Sequence, residues 1–188
     1  MNMTEAWSAI ETRLPPTDDG QRGCLRRPVA PSELQAAVQL TGQPWPVDLR
    51  ESLERHNGEV ERGGVLMGWR LLPAAEIAAT WATMNELQRT GEFRDGVPVA
   101  GAGVRPVWWS AAWLPISDSG SGDHHCIDLD PADGGRVGQV VVFLHDDGLR
   151  RVQSDSLASL LGGLATGLAA GDFTADALGR VRIRRRPR

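Results

Sequence analysis

From Trp113 to Gln153 the chain carries four short strand-like stretches, Trp113–Ile116, His125–Leu129, Gly138–Leu144 and Leu149–Gln153. The segments between them are too short and too polar to hold a helix. Parallel neighbours need a crossover of about a dozen residues or more, usually helical. This part of the chain can therefore close only as an antiparallel meander. Pro131-Ala-Asp-Gly-Gly135 and His145-Asp146-Asp147-Gly148 supply turn chemistry between the later strands.

Helical periodicity flanks the meander. Trp7, Ile10 and Leu14 recur at helical spacing from Thr4 until Pro15-Pro16 stops them. Ser32 and Gln35 read as a capping box opening a helix that runs to Gly42. A third helix starts near Pro46 and ends at His56-Asn57-Gly58, with His56 expected as a packed helix-end residue. Trp69–Leu72 reads as the first strand, and Pro73 then opens a helix with Ile77, Trp81, Met84 and Leu87 on one face. A cap at Ser154 or Ser156 starts the last helix, which Gly162, Gly163 and Gly167 weaken by about 1 kcal/mol each, so packing must hold it. The expected fold is α+β: an antiparallel sheet of about four to six short strands, with N-terminal helices and one C-terminal helix.

At 188 residues the chain is expected to form one domain over residues 1–171, followed by a disordered basic tail over 172–188. All 20 basic residues are arginine. Six of them, Arg180, Arg182, Arg184, Arg185, Arg186 and Arg188, lie in the tail, which leaves 14 arginines against 24 acids, a net −10, in residues 1–179. An acidic body suggests a basic partner. The tail could touch phosphates, but nothing in the body favours nucleic-acid binding. Cys24 and Cys126 do not make a disulfide framework, and the N-terminus has no signal-peptide pattern. A reduced, cytoplasmic protein without membrane contact is expected. The sequence carries no sign of its oligomeric state.

The densest polar chemistry lies between Trp108 and Asp147. Asp118, Asp123, Asp128, Asp130 and Asp133 accompany His124, His125 and Cys126. The residue types suit a metal, but the spacing does not, because adjacent strand residues such as His124 and His125 point to opposite faces. Asp128, Asp130 and His145 at neighbouring strand ends remain as an alternative, metal-dependent hydrolytic constellation. Ser119-Gly-Ser-Gly122 lacks the lysine of a phosphate loop, and no serine occupies a nucleophile elbow. Turn capping is the other role open to the aspartates. Asp130, next to Pro131, is expected to accept backbone hydrogen bonds from the 131–135 turn, with Asp128 open between turn and surface.

The ordered set Pro46-x-Asp48-Leu49, Leu53-x2-His56-Asn57-Gly58, Gly68-Trp69, Trp108-Trp109, Trp113-Leu-Pro-Ile116, Asp118, Gly122-Asp123, Cys126-Ile-Asp128-Leu-Asp130-Pro131, Gly138-Gln139-Val140 and His145-Asp146 resembles the Smi/Knr-type family of the SUKH superfamily over about Trp7 to Ala170. The resemblance implies an α+β fold, no cofactor and no catalytic residues, and the spacing of the ligand-type residues leaves no metal site expected. Fungal members regulate cell-wall glucan synthesis; bacterial members look like immunity proteins of polymorphic toxin systems. The expectation is a non-enzymatic immunity protein that neutralises a cognate toxin, such as a basic nuclease domain. The alternative is a regulatory scaffold of the cell-wall kind. Indoles beside carboxylates have the composition of interface hot spots. Trp108, Trp109, Asp118, Asp123, Asp128, Asp146 and Asp147 are accordingly the candidate partner-binding residues. Trp108 and Trp109 alternate faces, so at most one is expected at the surface, and Trp69 and Trp113 are expected in the core.

Overall fold

The computed structural model describes residues 1–18 and 20–184. Helix α1 spans Met3–Glu11 and is opened by a capping box: the Asn2 side chain accepts from the Glu5 N–H, and the Glu5 carboxylate accepts from the Asn2 N–H. It buries Met3, Ala6, Trp7 and Ile10. Helix α2 spans Pro31–Thr41 and begins without a side-chain cap. The capping box expected at Ser32 and Gln35 is not formed. Pro31 has its φ preset for the first helical turn, so the helix starts one residue earlier and Ser32 lies inside it.

Helix α3 is Val47–Arg55, strand β1 is Arg70–Leu71 and helix α4 is Ala74–Thr90. Helix α3 and the turn that follows it cap two distant helices. The Asn57 side-chain oxygen accepts from the Ala74 N–H at 2.8 Å, the start of α4. Asp48 accepts from the Ala158 N–H, at 3.3 Å, in the first turn of helix α5, Leu157–Ala170. Gly58 has φ +64°, and a Cβ there would stand 2.5 Å from the Leu72 carbonyl carbon, so only glycine allows this crossing.

The remaining strands are β2 (Val99–Ala100), β3 (Trp113–Pro115), β4 (Ser117–Asp118), β5 (His124–Asp128), β6 (Gln139–Phe143), β7 (Leu149–Ser154), β8 (Phe173–Ala175) and β9 (Val181–Ile183). The main sheet has the order β2-β7-β6-β5-β3. Its β3, β5, β6 and β7 form the expected antiparallel meander. Two features were not foreseen. The long 91–103 loop adds β2 parallel to β7, and β1 pairs with β4 in a separate ladder rather than joining the main sheet. The α+β class stands.

Both faces of the sheet are covered, which is why Val140-Val-Val-Phe143 is continuously apolar instead of alternating. Leu114, Ile127 and Val140 pack with α1, α3 and α5. Trp113, Cys126, Val141 and Phe143 pack on the other face with Met84 of α4, Val104 and Trp109.

The tail expected to be disordered from 172 is instead a hairpin, because β8 and β9 pair antiparallel. Val181 is fully buried and its N–H donates to the Gly64 carbonyl at 3.0 Å. Gly179 meets Gly23 so closely that a Cβ on Gly23 would lie 2.9 Å from the Gly179 Cα. Residues 185–188, with Arg185, Arg186 and Arg188, lie outside the described residues.

Candidate binding groove

The tryptophan–aspartate stretch divides between core and surface. Trp109 and Trp113 are buried, and Trp109 sits edge-on to both Trp113 and Phe143. Trp108 is half-buried, with the Arg150 guanidinium 4.7 Å above its ring. Arg150 itself is fully buried between Trp108 and Phe143, and burial pushes its pKa down to about 10. It donates to the carbonyls of Trp108, Asp147 and Leu149, tying the β6–β7 turn to the tryptophan loop.

Asp128 is fully buried. Its Oδ1 accepts from the Asp130 N–H, and its Oδ2 accepts from Gln139 Nε2, which also donates to the Gly103 carbonyl. Burial raises its pKa despite these donors. Trp109 and Asp128 therefore do not belong to a contact surface. Asp130 also departs from expectation: its carboxylate is exposed and pairs with Arg105 at 2.7 Å, so it is Asp128 that holds the strand end.

The hydrolytic alternative does not assemble. In the antiparallel register Asp128 faces Gln139 while His124 faces Phe143, so His145 lies beyond the opposite end of β5 from Asp128 and Asp130. His145 instead bonds Asp123 through both its backbone N–H and its Nδ1. Burial pushes Asp123 up, but the donors from His145 and Ser121 outweigh it and leave its carboxyl below the ordinary value. The same bond raises His145. Asp146 completes a group whose ligand atoms lie within 4.8 Å of one another, yet Asp123 and His145 already satisfy each other. Asp118 accepts from the Gly120 N–H and Asp147 from the Leu149 N–H, both at turns. Asp146 is open to solvent, with a side chain 77% exposed.

Cys126 is fully buried, and burial raises its thiol far above the ordinary range. His124 is buried against Phe143, its Nδ1 bonded to the Ser117 carbonyl, and burial lowers its pKa. His56 is a structural residue, as expected. It bonds the Arg26 carbonyl and the Glu11 carboxylate and lies edge-on to Trp7.

The open feature lies on the other face of the sheet. A groove of roughly 560 Å³ runs between β6, β7, α5 and the 66–69 turn. Its walls include Leu66, Trp69, Leu160, Leu164 and Phe173. Its floor is one row across three strands, because His125 pairs with Val142 and Val142 with Arg151. Trp69 packs on the His125 ring at 4.3 Å. Burial, then the nearby Arg151 charge, lowers His125 to about 4, so its imidazole is neutral near pH 7. Met67 at the rim has φ +57°, a left-handed conformation that costs a non-glycine residue about 1 kcal/mol or more. The turn carrying it is anchored from below by Glu59, whose buried carboxylate accepts from the N–H groups of Gly64, Val65 and Leu71. Burial raises Glu59 against the pull of these donors.

Sequence reasoning missed this groove. Its residues come from six separated segments, and the usable signals were faint: the Gly63-Gly64 pair that lets the chain wrap over Glu59, and glycines in an otherwise leucine-rich helix.

Among the described residues no helix is long and apolar enough to cross a membrane. Similar proteins are a "Cell wall biosynthesis/cell cycle regulator smi1" of Schizosaccharomyces pombe, 30% identical over 146 residues, and a "Glucan synthesis regulatory protein" of Neurospora crassa, 25% identical over 171. Each match covers 70% of this chain but only 29% and 32% of those proteins. A "Cell wall assembly regulator SMI1" of Saccharomyces cerevisiae is 30% identical over 70 residues, 37% of this chain and 14% of that protein. The chain thus spans about a third or less of the length of the curated relatives it matches. Residues 28–163 match the SMI1 / KNR4 family (SUKH-1), and they hold α2 to α4, the whole main sheet and the first half of α5, so the chain belongs to that family.

Proposed function

We propose that this chain is a non-enzymatic docking module of the regulatory SMI1/KNR4 kind, which acts by holding a partner protein in the β6–β7–α5 groove. The observation that carries the reading is the groove itself: a concave, largely apolar surface on a rigid sheet, with few polar groups. The nucleophilic and titratable groups elsewhere on the sheet are spent on the fold: Cys126 is sealed, and Asp128 and His124 are bonded within the core. The regulatory reading is supported by the relatives, which are named as cell-wall and glucan-synthesis regulators.

A test uses Gly163, which lines the groove and has open space where a Cβ would go. Gly163→Trp should fill the groove while the helix stays folded. Affinity purification from the source organism with wild-type and Gly163→Trp chains should yield a partner retained by the first and lost by the second. Equal retention would move docking off the groove.

A second reading, an immunity protein capping a basic toxin domain, is favoured by one observation. Exposed Asp146 and Asp147 share the β6–β7 turn, beside Asp123 and Asp118, on a body with a large excess of acids. In that case Asp146→Lys with Asp147→Lys should slow association with a basic toxin domain, and the wild-type rate should fall steeply with salt. A salt-independent rate would remove it.

A further inference from the structure

We infer that the groove takes a segment of the partner protein in which a carboxylate is flanked by apolar side chains, with Arg151 and the His125 Nε2–H as its two anchors. This rests on the docking reading above and names the chemistry of the segment.

Charge complementarity carries the inference. The chain has 24 acidic residues, yet none is among the described residues that line the groove. The one formal charge there is Arg151. Arg55, Arg105 and Arg180 are paired with Glu11, Asp130 and Asp176, whereas the Arg151 side chain has no hydrogen bond or ion pair among the described residues. An exposed arginine on an acidic body would gain from a carboxylate neighbour, and the groove leaves that place open.

The second anchor follows from proton counting. Ser117 is fully buried. Its Oγ accepts the His125 backbone N–H at 3.0 Å, and the acceptor within reach of its own proton is His125 Nδ1, at 2.8 Å. A buried hydroxyl proton needs an acceptor. Nδ1 therefore accepts, and the proton of the neutral ring sits on Nε2. That N–H has no partner among the described residues and belongs to a side chain lining the groove. Packing on Trp69 fixes the direction in which it donates. His125 and Arg151 stand two strands apart in one row, about 10 Å between backbones, with apolar Val142 between them. Both long side chains can reach one carboxylate, or a carboxylate and the neighbouring backbone carbonyl. Leu144, Leu149, Leu160 and Phe173 then receive the flanking apolar side chains.

The acidic surroundings sharpen selection. They repel acidic segments that fail to reach Arg151, so affinity depends on placing the carboxylate in the groove.

The test titrates the isotope-labelled full chain with three short peptides, acetylated and amidated at their ends, in which leucine and phenylalanine flank a central Glu, Gln or Lys. The Glu peptide is expected to shift the amide resonances of Val142, Arg151 and Gly163, and the Gln and Lys peptides to bind at least about tenfold more weakly. Arg151→Glu, an exposed position that leaves the core intact, should reverse the Glu and Lys order. Equal binding of the three peptides, or none, overturns the inference. Decanoate shifting the same resonances while the Glu peptide does not would also overturn it, in favour of a free amphiphile. Loss of the purified partner from Gly163→Trp together with no peptide preference would leave the docking reading standing and the carboxylate class wrong. No effect of Gly163→Trp would remove both.

Discussion

Two aspartates two positions apart carry opposite roles. Asp128→Ala strands one donor bond of buried Gln139 and the part-buried Asp130 N–H, and should cost about 1–3 kcal/mol. Asp130→Ala removes an exposed pair with Arg105, and pairs of that kind contribute about 0–1 kcal/mol. Denaturant midpoints of the two variants should separate clearly; equal midpoints would contradict the assignment. Glu59 is a stronger case. Glu59→Ala leaves the N–H groups of Gly64, Val65 and Leu71 without their acceptor, at roughly 3 kcal/mol or more in total. It should also loosen the Met67 turn, visible as faster amide exchange at 64–71. Sequence left Asp128 open between turn and surface and carried no sign of the Glu59 role. A lone acidic residue in a polar stretch reads as solvated, and only the arrival of three backbone donors from 64, 65 and 71 makes Glu59 a core residue.

At the level of the element, α5 explains its own glycines. A Cβ on Gly167 would stand 2.2 Å from the Phe173 ring, so this glycine lets β8 pack on the helix. A Cβ on Gly163 meets nothing and points into the groove. Gly163→Ala should raise stability by up to about 1 kcal/mol, whereas Gly167→Ala should lower it by displacing Phe173. Thermal midpoints moving in the same direction would contradict this difference. The sequence shows all three glycines as equal defects in a leucine helix. What separates them is the neighbour each one faces.

At the level of the whole molecule, the charge distribution sets how the acidic end responds to pH. The Asp123–His145 pair is complete only when Asp123 is ionised and His145 protonated. His145 is raised, so its contribution is full below its ordinary 6.5 and lost as pH rises through the folded value. Asp123 is lowered, so its contribution is present above its ordinary 3.8 and lost as pH falls through the folded value. The difference in unfolding midpoint between wild type and Asp123→Asn should therefore be largest between those two limits and shrink toward alkaline pH. A difference that grows above pH 8 would refute the pairing. The C-terminal hairpin also belongs to this scale. Removing residues 173–188 would expose the sites of Val181 and Phe173 and open one wall of the groove, so the truncated chain should melt at lower temperature.

The local pattern was enough for the α+β class, the antiparallel meander from Trp113 to Ser154 and the ends of α3 and α4. Period, turn residues and loop length act over a few positions and can be read in order. The family, too, was legible in an ordered set of residues that runs from Pro46 to Asp146. The groove was not, because Trp69, His125, Arg151, Gly163 and Phe173 become neighbours only when the sheet, α5 and the C-terminal hairpin close on each other. The same closure sorted Trp109 and Asp128 into the interior and Asp130 and Asp146 onto the surface. Burial and hydrogen-bond partners depend on what arrives from distant parts of the chain, so a residue's type states what it can do and the packing decides what it does.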